Sequence, residues 1–205
     1  MSFWGVHPVT VENMDRVAPV FDVVVGTDGS TTDINAAVAA GHTRIALVPG
    51  AALTANLVIS ASNGVLFSLN ARETLDIGAY QLQIAGSKWT LRGLKIDGAA
   101  GSYGLSLANT DIWVDQCAVY NCWRGIQNTT ASYNVISGCV SKDNGNDGIE
   151  NAGFHHVLAF NRVIDNGGYG VDDISNGCIV FGNVLTGNGS GAINGTPVVD
   201  VGNET

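Results

Sequence analysis

The sequence predicts an all-β solenoid, a chain wound into stacked coils of about 22 residues, and three columns of residues in phase with one another predict it. In the first column Leu105, Ile126, Ile149, Val171 and Ala192 each follow a glycine, at separations of 21, 23, 22 and 21. The second runs Ile96, Val119, Val140, Val163, Val184 and the third Gly98, Asn121, Asn144, Asn166, Asn188, with separations of 21 to 23 throughout. Between the columns lie β-prone runs, such as residues 89–96 and 111–114, that are too short for helices and are punctuated by Asn-Gly and Asp-Gly turn signals. Stacked coils place equivalent residues above one another at the ~4.8 Å strand spacing, so the aliphatic columns become interior stacks. The asparagine column fits a bend, where the residue tolerates a left-handed backbone and its amide bonds the next coil. That makes Asn121, Asn144, Asn166 and Asn188 a ladder.

The elements follow in order. Residues 1–22 stand outside the repeat, carry Phe3, Trp4 and Phe21, and read as an N-terminal arm that packs on a neighbouring subunit. Residues 23–42 read as a capping turn and short helix, with Asp33 as N-cap, Gly41 just past the end, and Ile34, Ala37 and Val38 on one face. That face covers the open end of the first coil. Residues 44–50 read as the first strand and its turn, and residues 43–196 as a solenoid of about seven coils, roughly 34 Å long. Residues 197–205 read as a tail, with no amphipathic helix to close the far end. An open end leaves backbone donors and apolar stacks free to associate.

Composition bounds the function. Nine Lys and Arg stand against 18 Asp and Glu, a net charge of -9, so a run of nucleic-acid phosphates would find little to neutralise it. No apolar run approaches the ~20 residues of a membrane span. The first residues lack the cationic start and apolar stretch of a signal peptide, so folding in a cytosol is expected. Cys117, Cys122, Cys139 and Cys178 form no CxxC pair and read as buried small hydrophobes; no cofactor and no metal site is expected. His155 and His156 would point to opposite faces of a strand and so not act together.

The coil period, the asparagine column and the run from Val24-Val25-Gly26-Thr27-Asp28-Gly29 through the short helix to Gly41 resemble the right-handed parallel β-helix of the pectate-lyase-like superfamily. The resemblance covers roughly residues 24–196 and implies the fold rather than an activity. Many phage tailspike and virion appendage proteins belong to that superfamily, which implies a homotrimer with its coils side by side. Asn109-Thr110-Asp111 and Asp172-Asp173 are similar to polygalacturonase motifs, but they stand 61 residues apart and the Gly-His-Gly and Arg-Ile-Lys partners are absent.

In a stacked fold function lies in columns of outward residues. Tyr103, Arg124, Asp147, Tyr169 and Ser190 precede the glycines of the first column, and Ser106, Gln127, Glu150, Asp172 and Ile193 follow its aliphatic members. Asp147, Glu150 and Asp172 are therefore the candidate catalytic acids, because carboxylates on adjacent coils repel and one takes up a proton, as acid-base cleavage of a glycosidic bond requires. Tyr103, Arg124, Gln127 and Tyr169 are the candidate sugar-binding residues. The same acids also read as ordinary side chains on a solvated face. Coils of nearly constant length offer no walls for a cleft, so the expected role is a phage virion structural protein, a capsid decoration protein or tail appendage that binds other virion proteins or surface glycans. It would assemble in the host cytoplasm and end in the virion. A tailspike-type polysaccharide depolymerase, a hydrolase or lyase, is the alternative.

Overall fold

A computed structural model describes residues 21–27, 29, 31–69, 74–129, 132–175 and 177–205. The chain is a parallel β-helix of three sheets with nine, seven and five strands, each strand pairing in parallel with its counterpart one coil away. One coil shows the plan: Trp113–Asp115 enters the nine-stranded sheet, Ala118–Tyr120 the five-stranded sheet and Arg124–Asn128 the seven-stranded sheet. The strands turn side chains inward, here Val114, Val119, Ile126 and Asn128, and these lie along the axis with no exposure to solvent. Among the described residues no helix is long and apolar enough to cross a membrane.

The first column holds from Leu105 through Ile126 and Ile149 to Val171. Its preceding glycines are required by space: a Cβ at Gly148 would come within 2.1 Å of Val163 Cγ1, and one at Gly125 within 2.0 Å of Ser141 Oγ. At the last rung the expected member, Ala192, is displaced, because Val171 pairs with Ile193 and Gly191 lies beside Tyr169. The second column slips in the same way. Val119 pairs with Ser141, and Val140 pairs with Ala118 and Arg162 on the outside. Ser141 can occupy the interior because its hydroxyl donates to Gly148 O at 2.7 Å and accepts from Asn144 Nδ2 at 3.0 Å.

The asparagine ladder is present in Asn144, Asn166 and Asn188. Asn144 Nδ2 donates to Asn166 Oδ1 at 2.8 Å, and Asn166 Nδ2 to Asn188 Oδ1 at 2.9 Å. Asn121 is not a rung; its φ is +56° and its amide reaches outward to Asp97. The rung is Cys122, one residue on, whose N–H donates to Asn144 Oδ1. The offset explains the bend: Asn121, Asp143, Asp165 and Gly187 take the left-handed conformation, and the residue after each of the first three points its N–H along the axis, where a side-chain oxygen of the next coil meets it.

The other two bends repeat the device. Cys139, Asn161, Asn183 and Asn203 form a second ladder with N–H to amide-oxygen distances of 2.8 to 2.9 Å. In the third, Ile112 N–H donates to Asn134 Oδ1 and Asn134 N–H to His156 Nδ1. His156 is thus a buried rung, while His155, left-handed and outside, stacks on Tyr133 at 5.1 Å. The two histidines do point apart, at a bend rather than in a strand. Replacing Asn166 by alanine strands donors and acceptors on both neighbouring coils, and a loss of about 2–4 kcal/mol is expected from urea unfolding.

Both ends differ from expectation. Val23–Val25, ahead of the helix, is already a strand and pairs with Arg44–Leu47. The helix itself, Ile34–Ala39, is capped by Asp33, whose carboxylate accepts from Asn35 N–H at 2.9 Å, and it buries Ile34 and Ala37. Gly41 follows at φ +86°. Residues 197–205 are no tail: Val199–Val201 extends the nine-stranded sheet and Val184 bridges Glu204, which brings the solenoid to about eight turns. There the inward column passes from Val180 to Asp200, a charge at the open end that opposes strand-to-strand association. Of the arm expected over residues 1–22, residues 1–20 lie outside the described residues.

All four cysteines are free and buried. Burial pushes the Cys122 thiol up to about 11 and raises Cys178 further, consistent with inert packing groups.

Candidate functional site

The outer face of the seven-stranded sheet carries two parallel columns of side chains. Along one, Tyr103 pairs with Arg124. Asp147 and Tyr169 continue it, tied in by Gly125 N–H to Asp147 O and Gly148 N–H to Tyr169 O. Along the other, Gln83, Ser106, Gln127, Glu150, Asp172 and Asn194 stand one above the next. The outward direction follows from the inward one: once Ile126, Ile149 and Val171 enter the core, strand alternation turns Gln127, Glu150 and Asp172 out.

Asp147, Glu150 and Asp172 converge, with carboxylate oxygens within 4.8 Å of one another. Arg124 stands among them, its Nη1 2.7 Å from Glu150 Oε2 and its Nε 3.7 Å from Asp147 Oδ2. Gln127 Nε2 donates to Glu150 Oε1 at 2.6 Å, Tyr169 N–H to Asp147 Oδ1 at 2.8 Å, and Asn194 Nδ2 to Asp172 Oδ1 at 2.8 Å. Glu150 Oε1 thus accepts a hydrogen bond and Oε2 is held by the ion pair to Arg124 alone, whereas Asp172 is partly exposed. The candidate binding residues Arg124, Gln127 and Tyr169 all touch this cluster, and Tyr103 lies one coil from Arg124.

The solvated-face reading does not describe Asp147 and Glu150. Although they stand outside the coil, Asp147 is only 3% exposed and Glu150 only 4%. Burial pushes the Asp147 carboxyl above its ordinary value, and the charge of Asp172 adds to this; the Tyr169 N–H and the Arg124 guanidinium oppose it. Gathering three acids and one arginine where water is scarce works against folding, and such arrangements concentrate at functional sites. The group offers the oxygen donors of a divalent-cation site, but Arg124 competes for the same carboxylates. Replacing Arg124 by methionine leaves these charges unanswered. A loss of about 2 kcal/mol in thermal or urea unfolding is expected, a figure discounted because the arginine side chain stays a quarter exposed.

Two contributors escape a reading of the sequence. Gly168 makes room for the acid, since a Cβ there would lie 2.4 Å from Asp147 Oδ1. Its only signal is the pair Gly167-Gly168. Trp123, which precedes Arg124, is exposed at the bend with its ring against Gly145. Asn109-Thr110-Asp111 contributes nothing here; it sits at a bend two coils away, where Asn109 bonds Ala85 O.

A search of curated protein sequences finds no match. Among solved structures, the chain is similar to a pectin methylesterase from Aspergillus niger, with a TM-score of 0.66 and 12% identity over 80% of this chain. The alignment spans 66% of the esterase, so the likeness is one of fold. A family model described as the right handed beta helix region matches residues 51–203. With most of its length covered by that match, the chain belongs to the right-handed β-helix family.

Proposed function

We propose that the protein binds a polysaccharide across the outer face of the seven-stranded sheet and hydrolyses it at the Arg124, Asp147, Glu150 and Asp172 cluster. The observation that carries this reading is the burial of outward-facing acids against one another, with Asp147 driven toward its protonated form. Asp147 gives its proton to the glycosidic oxygen as that bond breaks, and the Asp172 carboxylate attacks the sugar carbon to form a glycosyl ester. Water then cleaves the ester and returns a proton to Asp147. Glu150, with both oxygens held, positions Arg124. Tyr169, Tyr103 and Trp123 supply rings for sugar faces.

Spacing favours a particular stereochemical outcome. Carboxylates within 4.8 Å leave no room for the intervening water of an inverting enzyme, which needs about 6.5–9.5 Å, and approach the roughly 5–5.5 Å of a retaining one. Proton NMR of the first products from a panel of bacterial capsular and cell-wall polysaccharides is expected to show a retained anomeric configuration. Products formed equally fast by a variant carrying Asp147→Asn, Glu150→Gln and Asp172→Asn would remove the site from the reaction.

A second reading rests on a different observation: the coils keep to about 22 residues and raise no walls beside the cluster. On that reading the protein is a phage virion component, a decoration protein or tail appendage working as a homotrimer that holds surface glycans or other virion proteins without cutting them. Binding without products in the same panel supports it.

A further inference from the structure

An asparagine followed by glycine is open to attack by its own backbone, because the glycine has no Cβ to crowd the approach. Six such pairs occur in the chain, at Asn63, Asn144, Asn166, Asn176, Asn188 and Asn194. The attack needs the glycine nitrogen to lose its proton and turn toward the asparagine Cγ. A glycine N–H held by a carbonyl, and an asparagine amide held by its neighbours, both oppose it.

The ladder protects three of the pairs. Gly145, Gly167 and Gly189 donate their N–H groups to Cys122 O, Asn144 O and Asn166 O, each at 2.8 Å. The Asn144 and Asn166 side chains are buried and bonded on both sides, and Asn188 Oδ1 takes two hydrogen bonds from Asn166. At Asn63 the side chain is exposed, but Gly64 is buried and its N–H donates to Lys88 O at 3.2 Å. Asn176 lies outside the described residues.

Asn194 differs from all of these. It ends Gly191–Asn194, the strand at the edge of the seven-stranded sheet. Asn194 and Gly195 are both exposed, Gly195 leaves the strand at φ +94°, and its N–H donates to no group among the described residues. The Asn194 amide is anchored by Nδ2 donating to Asp172 Oδ1 at 2.8 Å, across an exposed face. We propose that Asn194 is a site of spontaneous deamidation, with water as co-reactant, whose product sets a further carboxylate against Asp172.

The Gly195 nitrogen gives its proton to hydroxide and bonds to Asn194 Cγ; the Cγ–Nδ2 bond breaks, and ammonia leaves with a proton drawn from water. The cyclic imide then takes up one water at either carbonyl, which yields aspartate or its isomer with the backbone routed through the side chain. No atom changes oxidation state. In the aspartate a like charge replaces the donor that faced Asp172, at the edge of a cluster already holding three acids against one arginine. The chemistry requires no glycan and is independent of any cleavage.

The test incubates the folded full chain in mildly alkaline buffer made with oxygen-18 water, followed by digestion in ordinary water and peptide mapping by mass spectrometry. Only change before digestion then carries the label. Labelled product at Asn194 is expected to form at least about tenfold faster than at Asn63, Asn144, Asn166 or Asn188, and the ratio to fall below about threefold in urea, where every pair loses its hydrogen bonds. Calorimetry of Asn194→Asp is expected to show a lower thermal midpoint than the parent, and no such drop in a chain already carrying Asp172→Asn, where amide and carboxylate have exchanged places. Equal labelling of the folded pairs, a ratio that urea leaves unchanged, an Asn194→Asp midpoint equal to the parent's, or a drop of the same size with and without Asp172 would each overturn the proposal.

Discussion

An Ile149→Asp chain is expected to fail to fold, appearing as insoluble or protease-sensitive protein with no cooperative unfolding transition. Ile149 is fully buried and lies between Ile126 and Val171 in the interior stack. A carboxylate there has no cation within the core and no solvent. The uncompensated charge costs several kcal/mol, a large part of the total stability of a domain. Parallel strands raise the effect further, because each coil is the template for the next and a broken coil leaves its neighbours unpaired. A soluble variant that unfolds cooperatively within about 1 kcal/mol of the parent would mean that the stack is not what holds the solenoid together.

The second large effect is a loss of activity accompanied by a gain in stability. Asp147→Asn keeps the shape of the side chain and an oxygen for the Tyr169 N–H, but it has no proton to give to a leaving group. On polysaccharide the rate is expected to fall by roughly 10²–10⁴, the usual contribution of a positioned general acid. Stability moves the other way. The folded state holds the Asp147 proton more tightly than the unfolded chain does, so stability is fullest below the ordinary value of 3.8 and declines as pH rises through the raised folded value. The asparagine variant lacks that decline. Its thermal midpoint at pH 7 should exceed the parent's and depend less on pH above 4, whereas an unchanged pH profile would show that Asp147 bears no burial penalty.

The fold could be read from the sequence because parallel stacking repeats a residue's environment every coil, so Leu105, Ile126, Ile149 and Val171 spell one interior site four times. The errors arose where chemistry replaced residue type. Ser141 holds an aliphatic position through two hydrogen bonds, and Cys122 holds an asparagine position because its backbone donates to Asn144. A search for like residues passed over both and settled on Val140 and Asn121, each one residue early. The ladder through Cys139, Asn161, Asn183 and Asn203 was missed for the same reason, since cysteine and asparagine look unrelated until their N–H groups are seen to face the same way. At the candidate site, pairing register alone brought Glu150 and Asp172 together. The burial of Glu150 and Asp147 was not legible, because it depends on Arg124, Gln127 and the bare backbone at Gly168 closing over them.

The three ladders also make the length of this chain quantised. A rung such as Asn166 needs only a like rung one coil away on either side, whichever coil that is. Gain or loss of one whole coil therefore sets amide against amide and aliphatic against aliphatic, while gain or loss of one or two residues sets an amide against a valine and strands both. Duplication would lengthen such a molecule in steps of about 22 residues, each adding ~4.8 Å of reach. The acids, confined to the coils of Arg124, Glu150 and Asp172, would keep their spacing through every such step taken elsewhere along the axis.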